Sequence, residues 1–390
     1  MSNQVDVPVL TDGVVTLRAH LPVDVDAVVE MCRDPEFARW TTVPVPYDRG
    51  MAEEFVGEMT PAGWRDQTSY GWAIQATDPD GRSRFAGNLD VRTQPRPNIG
   101  FGLHPWARGR GLMARAVRLA STWCFDVVGM PVVHWEAHVD NFASWRVAWA
   151  CGFSFAGSLP AYSPQRGQLR EAWLAVLKRG DEPHPRTRWL TVPVLEGRTV
   201  RLRGYRDSDL PRMVEACSDP RTRHWLPELP HPYTLEAGRD YVRQCRLDAS
   251  LGRRITWAAA DLRTDEFVAD VGIFNLAKPM SPGSGEVGYL AHPSVRGRGT
   301  MTEAVRLAVG HAFAPAARGG LGCHRLQLGA SVGNTASRHV AEAAGFRLRG
   351  TLRLDGVLGD GSYQDGAWYD QLAGDWHSEN SASRVSSPGC

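Results

Sequence analysis

The sequence predicts an α/β protein in which one mixed-sheet domain occurs twice. Three observations lead to this prediction. First, the segment that starts at Val15, VTLRAHLPVDVDAVVEMCRDPEFARW, returns at Val200 as VRLRGYRDSDLPRMVEACSDPRTRHW. Second, segments with strand-like alternation and segments with helical i, i+3, i+4, i+7 spacing interleave within each copy. Third, 43% of the residues are hydrophobic and 22% are charged, so each copy can bury a core of its own.

The repeat is a duplicated domain, because its period is far longer than the roughly 20–50 residues of solenoid repeats. The offset between the copies is 185 residues at Leu17 and Leu202, and it grows to 193 at Asn141 and Asn334. This small drift indicates short loop insertions. We predict a first domain at 1–183, a linker at 184–192, a second domain at 193–376 and a disordered, Ser-rich tail at 377–390.

Each copy is predicted to begin with a short strand, at 14–18 or 199–203, that leads into an amphipathic helix. Alternating segments then predict antiparallel strands, at 71–76 and 85–91 in the first copy and at 255–262 and 267–276 in the second. A further strand, NIGFGL or EVGYLA, precedes an Arg/Gly loop and a long helix at 112–127 or 301–313. A strand, a helix and one final strand complete each copy. This order predicts an open mixed sheet with helices against it.

Charge and cysteine usage narrow the function classes. The chain has 44 basic and 43 acidic residues, a balance that argues against a dominant nucleic-acid-binding surface. It contains no apolar run near the roughly 20 residues that a membrane span needs, and its N-terminus does not resemble a secretory signal. The seven cysteines and twelve histidines are scattered. We therefore expect reduced thiols, no metal site, a cytoplasmic location, and neither nucleic acid nor membrane as a partner.

An Arg-Gly-Arg-Gly loop lies between a strand and a helix at the same place in both copies. Glycines let the backbone approach a ligand, and the N-terminus of the following helix attracts anions. One such loop could be an ordinary turn with solvated arginines, but its recurrence favours a phosphate or pyrophosphate site. The candidate residues are Arg108, Gly109, Arg110, Gly111, Leu112 and Met113, and Arg296, Gly297, Arg298, Gly299, Thr300 and Met301.

These loops resemble the Q/R-x-x-G-x-G/A acetyl-CoA loop of the GNAT acetyltransferase superfamily. The segments VDNFASWRVAWACGFSFAG and VGNTASRHVAEAAGFRLRG resemble its Asn-x-x-Ser, helix and Gly-Phe signature. The resemblance covers about 15–180 and 200–376, and both copies are similar to the ribosomal-protein N-terminal acetyltransferases of the RimJ/RimL type. Met113 and Met301 depart from the Gly or Ala at the sixth loop position. We expect them to crowd the helix start without abolishing pyrophosphate binding.

The resemblance implies that an acetyl group passes from acetyl-CoA to a primary amine, by direct attack in a ternary complex. It favours the α-amine of a peptide or protein N-terminus as acceptor. It also implies two splayed parallel strands that take the pantetheine arm. Residue by residue, it assigns a pantetheine or water contact to Asn141 and Asn334 and a general-acid role to Ser144 and Ser337. Glu286 matches the carboxylate that faces the acceptor in many relatives.

The residues alone leave blander interpretations open. The asparagines could be turn residues, the serines could complete helix caps, and Glu286 could be a solvated strand-edge acid. Asp365, with Glu171 as its approximate counterpart, is a second candidate base or a plain turn residue. The first copy has Asn98 at the position of Glu286, and an amide cannot take a proton. We therefore favour the second copy as the catalytic one.

Two other functions stay open at this point. One is acetylation of an amine on a small-molecule or peptide antibiotic, for self-resistance or tailoring. The other is a non-catalytic protein that binds acyl-CoA as a scaffold. The two intact loops and Asn-x-x-Ser motifs favour an enzyme over the scaffold.

Overall fold

The computed structural model describes residues 6–378. Contacts within the chain divide it into two compact units, Met1–Arg186 and Thr187–Cys390. The predicted tail lies outside the described residues except for 377–378, which end a short helix over 373–378. Within residues 6–378, no helix is long and apolar enough to cross a membrane.

The first unit interleaves eight strands with six α-helices among its described residues. The strands are β1 (Leu10–Thr11), β2 (Val15–Arg18), β3 (Ser69–Thr77), β4 (Ser83–Arg92), β5 (Asn98–Leu103), β6 (Val132–His138), β7 (Ser154–Gln165) and β8 (Gln168–Lys178). The helices are α1 (Val25–Arg33), α2 (Pro35–Trp40), α3 (Arg49–Glu54), α4 (Thr60–Arg65), α5 (Leu112–Trp123) and α6 (Phe142–Ala150). One turn of π-helix extends α3 over Phe55–Met59, and another extends α5 over Cys124–Val128.

The second unit repeats this order. Its strands are β9 (Leu195–Glu196), β10 (Val200–Arg203), β11 (Ile255–Asp261), β12 (Phe267–Phe274), β13 (Ser284–Ala291), β14 (Arg325–Ser331), β15 (Arg347–Val357) and β16 (Tyr363–Leu372). Its helices are α7 (Leu210–Ser218), α8 (Pro220–Trp225), α9 (Leu235–Ser250), α10 (Thr300–Phe313) and α11 (Thr335–Ala343). The predicted mixed α/β fold and its duplication are thus confirmed.

Each unit is built on one mixed sheet. The strand orders are β1-β2-β3-β4-β5-β6-β8-β7 and β15-β16-β14-β13-β12-β11-β10-β9. The pairs β5–β6 and β13–β14 are parallel, whereas the other neighbours are antiparallel. In the second unit the parallel pairing covers Ser284–Glu286 and then stops, although β13 continues to Ala291. The facing edges of these strands therefore separate, and each sheet opens into a wedge.

The amphipathic patterns in the sequence account for the packing. The apolar residues of α1 that recur at helical spacing, Val25, Val28 and Cys32 among them, are buried. In the second unit, α10 packs Ala304, Val305 and Ala308 against the sheet. These contacts hold the start of α10 next to the end of β13, so the Arg/Gly loop sits at the mouth of the wedge.

The end of each copy differs from the prediction of one final strand. The structure has two, β7 and β8 or β15 and β16, which pair as antiparallel hairpins. The side chains of β15 are exposed along its whole length. A strand without a buried face lacks the alternation of apolar and polar residues that marks a strand in a sequence.

Candidate functional site

In the second unit, the wedge opens into a cleft of about 1510 Å³. Its walls include β13 from Glu286 onward, the end of β14, the starts of α10 and α11, and the region around α8 and α9. Ordinary small-ligand pockets measure roughly 300–1,000 Å³. The cleft is therefore large enough for an extended ligand or for two ligands side by side.

The two Arg/Gly loops have the same backbone. Gly109 and Gly111 have φ values of 73° each, and Gly297 and Gly299 have φ values of 72° and 77°. A Cβ added at any of these four glycines would meet no heavy atom within 4 Å. Gly111 and Gly299 also occupy the N-cap positions of α5 and α10 and supply no side-chain cap. First-turn N–H groups therefore lie free at an open surface, as in anion-binding helix N-termini.

The first arginine of each loop forms an ion pair with a neighbouring helix. Arg108 Nη2 donates to Asp34 Oδ1 at 2.5 Å, and Arg296 Nη2 donates to Asp219 Oδ1 at 2.6 Å. Both aspartates are N-caps, of α2 and α8. Partial burial pushes the pKa of Asp219 upward, but Arg296 and the Thr222 N–H hold it below its ordinary value. These ion pairs tie each loop to the helix opposite.

The second arginine of each loop is exposed. Arg110 lies over the ring of Trp106, 5.5 Å from its centroid. The side chain of Arg298 makes no hydrogen bond to any other part of the chain within 6–378. Arg110 and Arg298 are thus open to a ligand anion at the surface, whereas Arg296 borders the cleft with its Nη2 held by Asp219 and Thr222.

The residues that follow the loop glycines point into the protein. Leu112 and Met113 are buried in the first unit, as are Thr300 and Met301 in the second. Met301 belongs to the hydrophobic core and also borders the cleft. In the structure both methionine side chains thus anchor the helix start in the core.

Glu286 lies in the cleft where the parallel pairing ends. Its neighbours in the sheet are Gln327 on β14 and Phe274 on β12. Its Oε2 accepts a hydrogen bond of 2.9 Å from Asn275 Nδ2. The carboxylate is therefore oriented by a neutral amide and keeps its other oxygen for a ligand.

The equivalent place in the first unit is closed. Asn98 is buried and its Oδ1 accepts a hydrogen bond of 3.1 Å from Arg92 Nη2. The Phe37 ring packs so closely on β5 that a Cβ on Gly102 would lie 2.2 Å from it. In the second unit the matching positions carry Thr222 and Leu290, both of which line the cleft.

Asn141 and Asn334 are the N-caps of α6 and α11. Each side-chain oxygen accepts a hydrogen bond of 3.1 Å from the backbone N–H of the serine three residues later, Ser144 or Ser337. Within the chain, the side chains of Asn141 and Asn334 thus act as helix caps. Asn334 and Ser337 also line the cleft, so the second unit brings them together with Glu286 in one cavity.

The two serine hydroxyls have different partners. Ser337 Oγ lies 3.1 Å from the hydroxyl of Tyr289, which also donates to the Ser337 carbonyl oxygen at 2.9 Å. Ser144 Oγ accepts a hydrogen bond of 3.0 Å from Trp135 Nε1. Burial raises the pKa of Tyr289 to about 12, so its hydroxyl stays protonated at neutral pH.

The other candidate bases lie elsewhere. Asp365 Oδ1 accepts the Leu354 N–H at 2.9 Å within the terminal hairpin, and Asp365 is not among the residues that line the cleft. Glu171 is exposed and accepts a hydrogen bond from Ser158 Oγ. Both contacts join neighbouring strands of a hairpin.

Tyr289 and Asp270 also line the cleft, and neither belongs to a motif recognised in the sequence. Comparison of the copies could have found Tyr289, whereas the match of Asp270 emerges only from the register of the sheet. The matching residues of the first unit are Phe101 and Asn88, which lack the phenol hydroxyl and the carboxylate. A difference between duplicated positions that face a cavity is a signal for function.

Comparisons with known proteins agree with the geometry. A family model described as "Acetyltransferase (GNAT) domain" matches residues 15–154 and 199–347. "Probable N-acetyltransferase YjcK" of Bacillus subtilis (strain 168) is 27% identical over 138 residues, 35% of this chain and 70% of that protein. YdaF of the same strain, named as a candidate ribosomal N-acetyltransferase, is 34% identical over 94 residues. That match covers 24% of this chain and about half, 48%, of YdaF.

Solved structures that are similar to this chain cover about half of it. RimJ of Mycobacterium smegmatis, in complex with CoA-disulfide, has 22% identity and a TM-score of 0.42, covering 50% of this chain and 94% of that one. The ribosomal-protein-S5-alanine acetyltransferase of Vibrio fischeri has 20% identity and a TM-score of 0.41, covering 47% and 98%. Since the family model matches well over half of the chain, in both units, this protein belongs to the GNAT acetyltransferase family.

Proposed function

We propose that the second unit transfers an acetyl group from acetyl-CoA to the α-amine of a peptide or protein N-terminus. The observation that carries this proposal is the cleft itself. It joins the open glycine loop, the separated edge of β13, the Glu286 carboxylate and the Ser337 hydroxyl.

The donor fits by its chemistry. A pyrophosphate would accept hydrogen bonds from the free N–H groups at Gly297, Gly299 and the start of α10, with Arg298 as an additional donor. The pantetheine arm carries amide groups, and the unpaired edge of β13 beyond Glu286 offers backbone N–H and C=O groups to them. Asn334, at the far wall, is a further polar contact.

The reaction needs a base because an α-ammonium has a pKa near 8 and only the neutral amine attacks. Glu286 takes this proton, directly or through a water molecule. The amine nitrogen then bonds to the thioester carbon, and strand N–H groups stabilise the negative charge on the carbonyl oxygen. When the carbon–sulfur bond breaks, the thiolate takes a proton from Ser337, and the serine regains one from the positively charged nitrogen, which becomes the neutral amide nitrogen. Tyr289 holds that hydroxyl in place.

We infer a different role for the first unit. It keeps the glycine loop and the Asn-x-x-Ser cap, which favour binding of acetyl-CoA. It has Asn98 in place of Glu286 and Phe101 in place of Tyr289. With an amide at the position of the base, and with Phe37 packed over β5, it binds the donor without turnover.

An acceptor screen read by mass spectrometry tests the proposal. Peptides with free N-termini, N-terminally blocked peptides that contain lysine, and aminoglycoside-like amines are incubated with acetyl-CoA and the full chain. We expect a mass increase of one acetyl group on the free N-termini alone. Acetylation of the aminoglycoside-like amines without any peptide product would contradict the proposed acceptor. The name of YdaF, which refers to a ribosomal N-acetyltransferase, supports a peptide acceptor.

A further inference from the structure

A half-buried polar network lines the cleft beside the last residues of β13. The hydroxyls of Tyr205 and Tyr241 both donate to Oδ2 of Asp270, the latter at 2.9 Å. Arg254 Nη2 donates to the Tyr241 hydroxyl at 2.8 Å, and its Nε donates to Thr256 Oγ1 at 2.8 Å. The network therefore fixes the Asp270 carboxylate through two hydroxyls.

One oxygen of the Asp270 carboxylate has no hydrogen-bond partner among the described residues. Both hydroxyls bind Oδ2, and Oδ1 accepts no hydrogen bond from any residue within 6–378. Asp270 is one of the residues that line the cleft. Burial raises the pKa of Asp270, against the effect of Tyr205 and Arg254. The half-buried carboxylate thus offers one oxygen without a partner to a donor in the cleft, and a charged donor forms the strongest hydrogen bond with it.

The fold does not require this network, because the first unit lacks it. His20, Phe55, Ser69 and Asn88 stand where the second unit has Tyr205, Tyr241, Arg254 and Asp270. The ring pairs match in geometry, with His20 and Phe55 at 5.2 Å and the two tyrosines at 6.1 Å. The first unit thus builds the same fold without this network, although Asp90 places a carboxylate two residues further along the same strand. The four residues of the network are therefore not needed for the fold.

The register of the sheet gives the position of the network relative to Glu286. Asp270 pairs with Leu290 and Phe274 pairs with Glu286, so both carboxylates lie on the same face. They are separated by four residues along the sheet, or about 14 Å at roughly 3.4 Å per residue. A ligand whose amine reaches Glu286 could therefore place a second group at Asp270.

We propose that Asp270 recognises a second cationic nitrogen of the acceptor, namely a lysine or arginine side chain close to the N-terminus of a peptide. This inference rests on the proposed function. An extended peptide advances about 3.3–3.6 Å per residue, so a basic side chain at the third or fourth position spans the distance. Asp270 acts here as a specificity-determining residue of the acetyl transfer reaction.

Binding of matched peptides to the CoA-loaded full chain tests the inference by isothermal titration calorimetry. Three octapeptides differ only at position four, which is lysine, norleucine or glutamate. We expect the lysine peptide to bind about tenfold tighter than the norleucine peptide, and the glutamate peptide to bind weakest. Equal affinities of the wild-type protein for all three would overturn the inference without any variant.

Two variants sharpen the result. Asp270→Asn keeps an oxygen for Tyr205 and Tyr241 but removes the charge, so it should bind lysine and norleucine peptides equally. Asp240→Asn is the control, because Asp240 borders the same cleft but is already paired with Arg243 at 2.6 Å. It should keep the preference for lysine. An unchanged preference in Asp270→Asn would refute the role of Asp270.

The same peptides separate this inference from the proposed function. If the lysine peptide binds preferentially but mass spectrometry finds no acetylated product, N-terminal acetylation is wrong and the Asp270 site stands. If the lysine and norleucine peptides are acetylated with equal kcat/KM and bind equally, the Asp270 site is wrong and the proposed function stands.

Discussion

Replacing Gly299 by alanine separates the backbone role of the second loop from its role toward a ligand. Gly299 has φ 77° and ψ −7°, in the left-handed region. An L-residue there costs roughly 1–2 kcal/mol. A new methyl group would meet nothing within 4 Å, so no steric clash adds to this cost. We expect Gly299→Ala to lower the unfolding temperature by about 2–4 °C for each kcal/mol.

The effect on ligand affinity should be larger than the effect on stability. The methyl group fills open space above the free N–H groups of α10, where a pyrophosphate would lie. We expect the Kd for CoA at the second unit, measured by isothermal titration calorimetry, to rise at least tenfold. Gly319→Ala is the matched control, because Gly319 has φ 81°, equally open surroundings and no place in the loop. Equal CoA affinity in both variants would refute the assignment of the loop.

Three further perturbations test stability and chemistry. Arg203 and Asp209 are 4% and 2% exposed and form an ion pair of 2.8 Å. Arg203→Met should therefore lower the free energy of unfolding by roughly 3–5 kcal/mol in urea denaturation. An unchanged urea midpoint would contradict this. Burial lowers the pKa of His20 to about 4 from 6.5, so stability present above pH 6.5 should fall by about 3 kcal/mol toward pH 4. His20→Gln should remove that pH dependence in thermal unfolding, and a profile like that of the wild type would argue against it. Tyr289→Phe should lower kcat about tenfold with little change in KM for acetyl-CoA, because only the contact with Ser337 is lost. An unaltered kcat would exclude this role for the tyrosine.

Local patterns in the sequence were sufficient to predict most of the fold. The helix predicted at 301–313 is observed at Thr300–Phe313, and the strand predicted at 255–262 is observed at Ile255–Asp261. The helix buries one continuous face and the strand is buried on both faces, so the spacing of hydrophobic residues predicts where each begins and ends. Because the domain is duplicated, the sequence contains two versions of the pattern that predicts each element.

The contacts of the site were harder to predict, because they join residues that are distant in the chain. Arg108 and Asp34 are separated by 74 positions, and only the folded sheet brings the loop beside α2. The Asp270 network joins β12 to α9 and to the turn before α7, and no short motif contains these residues. The exposed strand β15 was missed for a different reason, since it buries no face of its own.

We propose that acetyl transfer occurs in the cleft of the second unit. The most direct test measures kcat/KM for acetyl transfer to a lysine-containing peptide in two double variants of the full chain. One combines Glu286→Gln with Ser337→Ala, and the other combines Asn98→Ala with Ser144→Ala. We predict that the first loses at least a hundredfold in kcat/KM and that the second stays within a few-fold of the wild-type value. Loss of activity in the second variant alone would contradict the claim.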